Sequence, residues 1–341
     1  MEAVSTPDRP GALVISLDFE LHWGVRDHVG RNDALYRRLG NARRAVGDMV
    51  TLFTDRQIRA TWATVGFLFA SARDELEAHL PRDRPIYDCS ELDPYVETIG
   101  IDEDHDPEHL AGSLVDLIAS HAGQEVGSHT FSHYYCLEPG QTEATFRADL
   151  AAARSVAQWR GLEPTSLVFP RNQWNPAYAD AILDSGFRCI RGPQRTWGHR
   201  VGQGGDRSPL RRGARLADTY VGVSAPPTTA WNDVLLESGL CDVPASAFLR
   251  PFSPARARLE PLRLARLRSG LRQAARRGRI FHLWWHPHNF SQYSSENFAV
   301  LEHILDEFDG LAAVEGMRSL GMADVSALVA PAGSGRTDAA G

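Results

Sequence analysis

The chain has 341 residues, 43% of them hydrophobic, and its 36 basic and 43 acidic side chains give a net charge of −7. No long-range field therefore favours nucleic acid or an anionic membrane, and arginine pairs such as Arg211-Arg212 and Arg276-Arg277 are most simply solvated surface. The length exceeds a typical single core but suits an α/β barrel with insertions, so one large domain is expected over residues 12–330.

Cys89, Cys136, Cys189 and Cys241 are scattered with no paired spacing, which argues against a disulfide framework or a zinc knuckle. Residues 1–11 are polar, contain proline and are expected to be flexible. The first apolar run is far too short for a signal-peptide core or a membrane span. The expectation is a cytoplasmic protein with no membrane span.

Residues 12–17, Ala-Leu-Val-Ile-Ser-Leu, form a continuous apolar run, the signature of a strand buried on both faces of a parallel sheet. It ends in Asp18-Phe19-Glu20, whose two carboxylates, two residues apart, point the same way at the strand's C-terminal rim. A turn cap and a solvated acid would be the plain alternative. His22 and Trp23 follow at once. Helical periodicity over 41–56 puts Ala45, Met49, Leu52 and Phe53 on one stripe, and 59–65 reads as a second strand. An insertion over about 71–107 keeps no period and mixes prolines, glycines and acids with Tyr87 and Tyr95; it is expected to be a loop over the active face. A helix over 107–122 leads to a third strand, residues 124–128, which delivers His129-Thr-Phe-Ser-His133. Two imidazoles four residues apart can face one point if the backbone makes a helical turn, a metal-ligand spacing also met in exposed or core histidines.

Thr142 is the expected cap of a helix over 142–158, and 166–170 reads as a fourth strand. At its end Arg171-Asn172-Gln173-Trp174-Asn175 crowds hydrogen-bonding side chains where a plain turn would do. After a helix over 177–185, a fifth strand over 187–190 ends in Arg191. Residues 192–254, rich in Gly, Pro and Arg, form a second insertion with one strand near 235–243. A helix over 260–277 precedes a strand in which Ile280, His282, Trp284 and His286 share one face and Phe281, Leu283 and Trp285 the other, with His286 at the rim. A helix over 296–308, a short strand over 311–314, a helix over 322–329 and a disordered tail over 331–341 complete the expected order. Strands alternating with helices, with polar clusters at strand C-terminal ends, describe an α/β barrel with its site on the top face; periodicity alone leaves a doubly wound sheet open.

In order and position, Asp18-Phe-Glu20, His129-Thr-Phe-Ser-His133, the arginine at the fourth strand end and the late strand ending in His286 resemble the motifs of the polysaccharide deacetylase family, carbohydrate esterase family four. The resemblance runs from about residue 12 to 325. It implies a distorted (β/α) barrel of seven or eight strands that removes acetyl groups from N-acetylated sugars with one divalent metal, usually zinc. Two departures stand out. Phe19 separates two acids that the commonest motif has adjacent, as in the less common Asp-x-Asp/Glu branch, and Pro170-Arg171-Asn172 replaces an Arg-x-Pro element.

The residues can support that chemistry on their own terms. His129, His133 and Glu20 would make a two-nitrogen, one-oxygen site of the catalytic zinc type. Asp18 would be the general base, Arg171 would keep it ionised and oriented, and His286 would be the general acid, with His288 in reserve. Deeper on its strand, His282 reads as a hydrogen-bonded core residue. Trp23, Tyr134, Trp174 and Trp284 are candidate walls for a sugar ring, and Asn172, Arg191 and His288 candidate polar contacts. The expected function is a metal-dependent hydrolase of an N-acetylated sugar, free or carrier-linked. Alternatives are hydrolysis of another non-peptide C–N bond, such as a ureide or cyclic amide, and a non-catalytic carbohydrate-binding relative.

Overall fold

The computed structural model describes residues 9–27, 34–194 and 227–330. The expected tail over 331–341, residues 195–226 of the 192–254 insertion and the first eight residues lie outside them. The strands in chain order are β1 (Ala12–Phe19), β2 (Ala60–Thr64), β3 (Gln124–Ser128), β4 (Ser166–Val168), β5 (Cys189–Arg191), β6 (Cys241–Asp242), β7 (Ala247–Phe248), β8 (Ile280–Trp285) and β9 (Arg318–Leu320). The helices are α1 (Ala34–Asp55), α2 (Arg73–Glu77), α3 (Gly112–Ala119), α4 (Glu143–Trp159), α5 (Ala179–Asp184), α6 (Glu260–Arg277), α7 (Ser294–Glu315) and α8 (Met322–Val329).

Every residue of β1 is buried, as its unbroken apolar run requires of a strand covered on both faces. It is the hub of a parallel sheet with spatial order β6-β5-β4-β3-β2-β1-β8-β7. One edge of β1 pairs with β8 from Ala12↔Ile280 to Leu17↔Trp285. The other edge is shared: β9 takes the lower half, Ala12↔Arg318 to Val14↔Leu320, and β2 the upper half, Ser16↔Thr61 to Phe19↔Thr64. The ends of this curled sheet, β6 and β7, are joined by the short link 243–246. Val243 donates to Ile190 and Ala245 to Gly192 on one side, and Ser246 donates to His282 on the other. The architecture is the expected distorted barrel.

Period-2 alternation divides each wall. Leu13, Ile15, Leu17 and Phe19 of β1, with Phe281, Leu283 and Trp285 of β8, face outward into the main core with α1, α3 and α6. Ala12, Val14 and Ile280 face inward and pack with Val168, Cys189, Cys241, Val243 and Leu320 into an apolar plug at the lower end, beside the half-buried Glu125, which accepts from Thr61 Oγ1 and the Ala323 amide. Burying the valine, leucine and isoleucine side chains of this plug contributes roughly 1.5–3 kcal/mol each. Above the plug the inward positions become Ser16 and Asp18 on β1, and His282 and Trp284 on β8.

Some expected boundaries move. Residues 311–314 are the last turns of α7 rather than a strand, because Leu311 and Ala312 continue the buried stripe of Leu301, Ile304, Leu305 and Phe308. The helix stops only where Gly316 adopts φ +68, a conformation glycine takes without steric cost, and the strand comes after it as β9. The strand expected near 235–243 shrinks to β6 plus a bridge from Leu235 to Cys241. The 71–107 insertion holds α2 and two short 3-10 turns. It is pinned by side chains more than by backbone pairing: Arg26 donates to the carbonyls of Glu91 and Leu92, and the Tyr135 amide donates to Tyr87 Oη at 2.9 Å.

Candidate metal centre

The inward alternation of β1 carries Asp18 to the barrel mouth, and Glu20 follows as the first residue beyond the strand. Both are buried. Glu20 owes its placement to a glycine: a Cβ at Gly24 would lie 2.0 Å from the Glu20 carboxyl oxygen Oε1, so only glycine lets the 3-10 turn Leu21–Gly24 pass so close.

From the end of β3 come the two histidines, and not on the helical turn that their spacing suggests. Thr130 (φ +64) and His133 (φ +58) are both left-handed, and the segment is an irregular loop. Such residues cost roughly 1–3 kcal/mol each and persist where surrounding bonds over-determine them. Here Thr130 Oγ1 accepts from the Tyr134 amide at 2.7 Å, and the buried carboxylate of Asp149 on α4 accepts from the amides of Phe131 and Ser132 at 2.7 and 3.1 Å. Asp149 was not singled out from sequence. The available signal was an acid on the apolar stripe of Phe146, Leu150, Ala153 and Val156.

His129 Nε2 and His133 Nε2 both converge on Glu20 Oε2, at 3.3 and 3.2 Å. Ligands at about 2.0–2.1 Å on a tetrahedral zinc stand about 3.3 Å apart, so these spacings are those of three donors around one ion. The residues fit a divalent metal. Burial pushes His133 down to about 4 against the pull of Glu20, so its ring is neutral near pH 7, as a ligand must be. Its Nδ1 lies 3.1 Å from Tyr135 Oη, a contact that orients the ring from behind.

Asp18 is held from across the barrel. Arg191, at the end of β5, grips it with two parallel bonds, Nη1 to Oδ1 at 2.6 Å and Nη2 to Oδ2 at 2.8 Å. Burial alone would raise the Asp18 pKa, but Arg191, with His129 and His286, outweighs it and holds the carboxyl below its usual range. A chain of bonds orients the guanidinium in turn. Arg191 Nη1 donates to Ser16 Oγ at 3.0 Å, Ser16 Oγ lies 2.8 Å from His282 Nε2, and His282 Nδ1 lies 2.9 Å from the Val243 carbonyl. A carbonyl only accepts, so Nδ1 carries the proton and Nε2 accepts from Ser16. Burial pushes His282 down to about 3, consistent with a neutral core histidine. Asn172 Oδ1 accepts from Arg191 at 3.2 Å, and the guanidinium lies 4.2 Å over the Trp284 ring.

The expected partner of Asp18, Arg171, is elsewhere. It is left-handed (φ +53) in the 3-10 turn after β4, pairs with Asp27 and covers the Tyr135 ring at 4.5 Å. Arg191, expected as a substrate contact, occupies the position given to it. His286 stands between the two acids, its Nε2 3.2 Å from Glu20 Oε1 and 3.8 Å from Asp18 Oδ2, with its side chain 24% exposed. His288 stacks on it at 5.1 Å, its pKa pushed down to about 4 by burial. Among the candidate walls, Trp284 and Trp174 are half-buried, the latter against Phe169. Trp23 and Tyr134 are fully buried: Trp23 packs on Phe67 and donates to the His109 carbonyl, while the Tyr134 hydroxyl bonds Gln141 and Thr145.

No protein-family model matches the chain, and no curated protein matches it. Solved structures do. One assigned as a polysaccharide deacetylase from Mycobacterium smegmatis is 14% identical with a TM-score of 0.58, covering 95% of this chain and 94% of that one. Another assigned so, from Pseudomonas aeruginosa PAO1, is 11% identical with a TM-score of 0.55, covering 93% and 89%. The Puue allantoinase is 10% identical with a TM-score of 0.55, covering 95% and 93%. At these identities the likeness concerns the backbone, and it establishes that this chain has the (β/α)-barrel fold of the polysaccharide deacetylases.

Proposed function

We propose that this protein is a metal-dependent hydrolase that removes an acetyl group from an N-acetylated sugar or glycan precursor. The observation that carries the reading is the convergence of Glu20, His129 and His133 on one point beside an Arg191-gripped Asp18, with His286 reaching both carboxylates. Glu20 Oε2 and the Nε2 atoms of His129 and His133 would hold the ion, zinc by the chemistry of the donor set. When bound, such a metal polarises an amide carbonyl and lowers the pKa of water toward neutrality. Asp18, kept ionised by Arg191, is the base that takes the proton of the attacking water. His286, the most exposed of the group, donates a proton to the departing nitrogen, without which an amine does not leave. Trp284 and Trp174 offer half-buried aromatic faces for a sugar ring.

The likeness to an allantoinase favours one second reading, hydrolysis of a ureide or cyclic amide by the same base and acid. Metal analysis precedes the choice. After zinc loading and dialysis, the wild-type protein should retain metal at this centre, and Glu20→Ala and His133→Ala should each lose it. Acetate release from a panel of N-acetyl sugars, run beside ring opening of cyclic ureides, then separates the substrates. A metal content in both variants equal to that of the wild type would overturn the ligand assignment and favour a non-catalytic carbohydrate-binding protein.

A further inference from the structure

A second cluster of metal-type donors lies outside the centre just described. His22, Glu97 and His109 each offer one ligand atom, all within 4.8 Å of one another. They come from three separate stretches: the 3-10 turn beyond β1, the 71–107 insertion, and the loop leading into α3. The rings of His22 and His109 meet edge to face with centroids 4.6 Å apart, and both are buried.

Behind His109 stands a carboxylate. Asp106 Oδ1 lies 2.7 Å from His109 Nδ1, and its Oδ2 accepts from the Gly100 amide at 2.7 Å. A buried carboxylate on the far nitrogen of an imidazole fixes the tautomer that presents Nε2 and raises its basicity, the arrangement found behind metal-ligating histidines. The surroundings are tight: the His22 amide donates to the Glu108 carbonyl, and Trp23 Nε1 donates to the His109 carbonyl at 3.0 Å. Glu97 is half-buried and lines a cavity of about 270 Å³ that it shares with Tyr95, Arg84 and Arg73.

We propose that His22, Glu97 and His109 form a second divalent-metal site, of zinc type, that clasps the 71–107 insertion to the end of β1. Two nitrogens and one carboxylate oxygen suit zinc, and a solvent ligand completes four-coordination. The role follows from position. The insertion is closed at its base by the Ala72↔Asp102 bridge, and the His22 and His109 stretches already meet through the His22–Glu108 backbone bond; an ion here would add the stretch of Glu97 to that junction. The proposal does not rest on the deacetylase reading, since neither His109 nor Glu97 belongs to the first centre.

The test is zinc stoichiometry on the full-length protein, saturated with zinc and desalted, with thermal melting alongside. The wild type should carry two equivalents. Glu97→Gln and His109→Gln should each carry one, Glu20→Ala one, and Glu20→Ala/Glu97→Gln none. Zinc should raise the melting temperature of Glu20→Ala and leave that of the double variant unchanged. Glu97 is only half-buried, so its substitution tests the site even if His109→Gln does not fold. A wild type with one equivalent or fewer, or two equivalents retained in Glu97→Gln, overturns the second site. Loss of metal in Glu20→Ala alone leaves the first centre standing without the second.

Discussion

The lower and upper halves of β1 and β8 follow one alternation and end in opposite chemistries. Below, the inward positions of these two strands are Ala12, Val14 and Ile280, all in the apolar plug. Above, the same face of the same strands presents Ser16, Asp18, His282 and Trp284, with Glu20 and His286 just past the ends. The backbone register is continuous through the change. What differs is whether a polar side chain has a partner across the barrel. The upper half has a complete set, from Val243 through His282, Ser16 and Arg191 to Asp18.

The largest expected break comes from Asp18→Asn. It should lower turnover by about 10²–10⁴-fold while the protein still binds zinc, because a lost general base removes rate rather than ligands. It also leaves Arg191 buried and unpaired, which should cost about 3–5 kcal/mol of stability by urea unfolding. The double variant Asp18→Asn/Arg191→Met sharpens the point: stability should largely return and turnover should not. Restored turnover would move the base elsewhere.

Gly24→Ala acts on the donor set alone. It should leave the fold intact and displace the Glu20 carboxyl, so that metal content falls as in Glu20→Ala; unchanged zinc affinity would show that Glu20 is not a ligand. The effect of pH has a defined sign at His282. Its pKa falls from 6.5 to about 3 on folding, so the unfolded chain binds the extra proton first. Stability is therefore full above about pH 6.5 and declines as pH falls through that window, by about 1.4 kcal/mol per unit. His282→Gln should lose this part of the slope between pH 6.5 and 4, and an unaltered slope would place the titration in another group. Smallest is Ile280→Val in the plug, expected to cost about 0.5–1.5 kcal/mol with zinc content and turnover unchanged. A loss of metal there would mean that the two halves are not separable.

The strands β1 and β8 and the helix α6 were legible in sequence because each is long or strongly patterned. The facing of His282, Trp284 and His286 followed from period 2 alone. The arginine partner was not legible in the same way. Arg171 and Arg191 both follow short strands, and only the backbone shows that Arg171 is turned aside by a left-handed residue while Arg191 continues the inward face of Cys189. Asp149 and Gly24 escaped because their roles are to hold and to make room for other residues, which leaves no motif. Residues 311–314 were misread because a short apolar run at a helix end has no period of its own.

The shared edge of β1 has a consequence for synthesis. Of the strands of this sheet, the one that carries the proposed base is made before the others, yet its partners β8 and β9 are made after all the rest. Until they arrive, an eight-residue strand with no exposed position in the native fold keeps unpaired edges while the segments between β1 and β8 are still being translated. The barrel thus cannot close from its N-terminus onward. A nascent chain stalled before β8 should remain protease-sensitive at β1, and chaperone dependence should track the time between emergence of the first strand and the eighth.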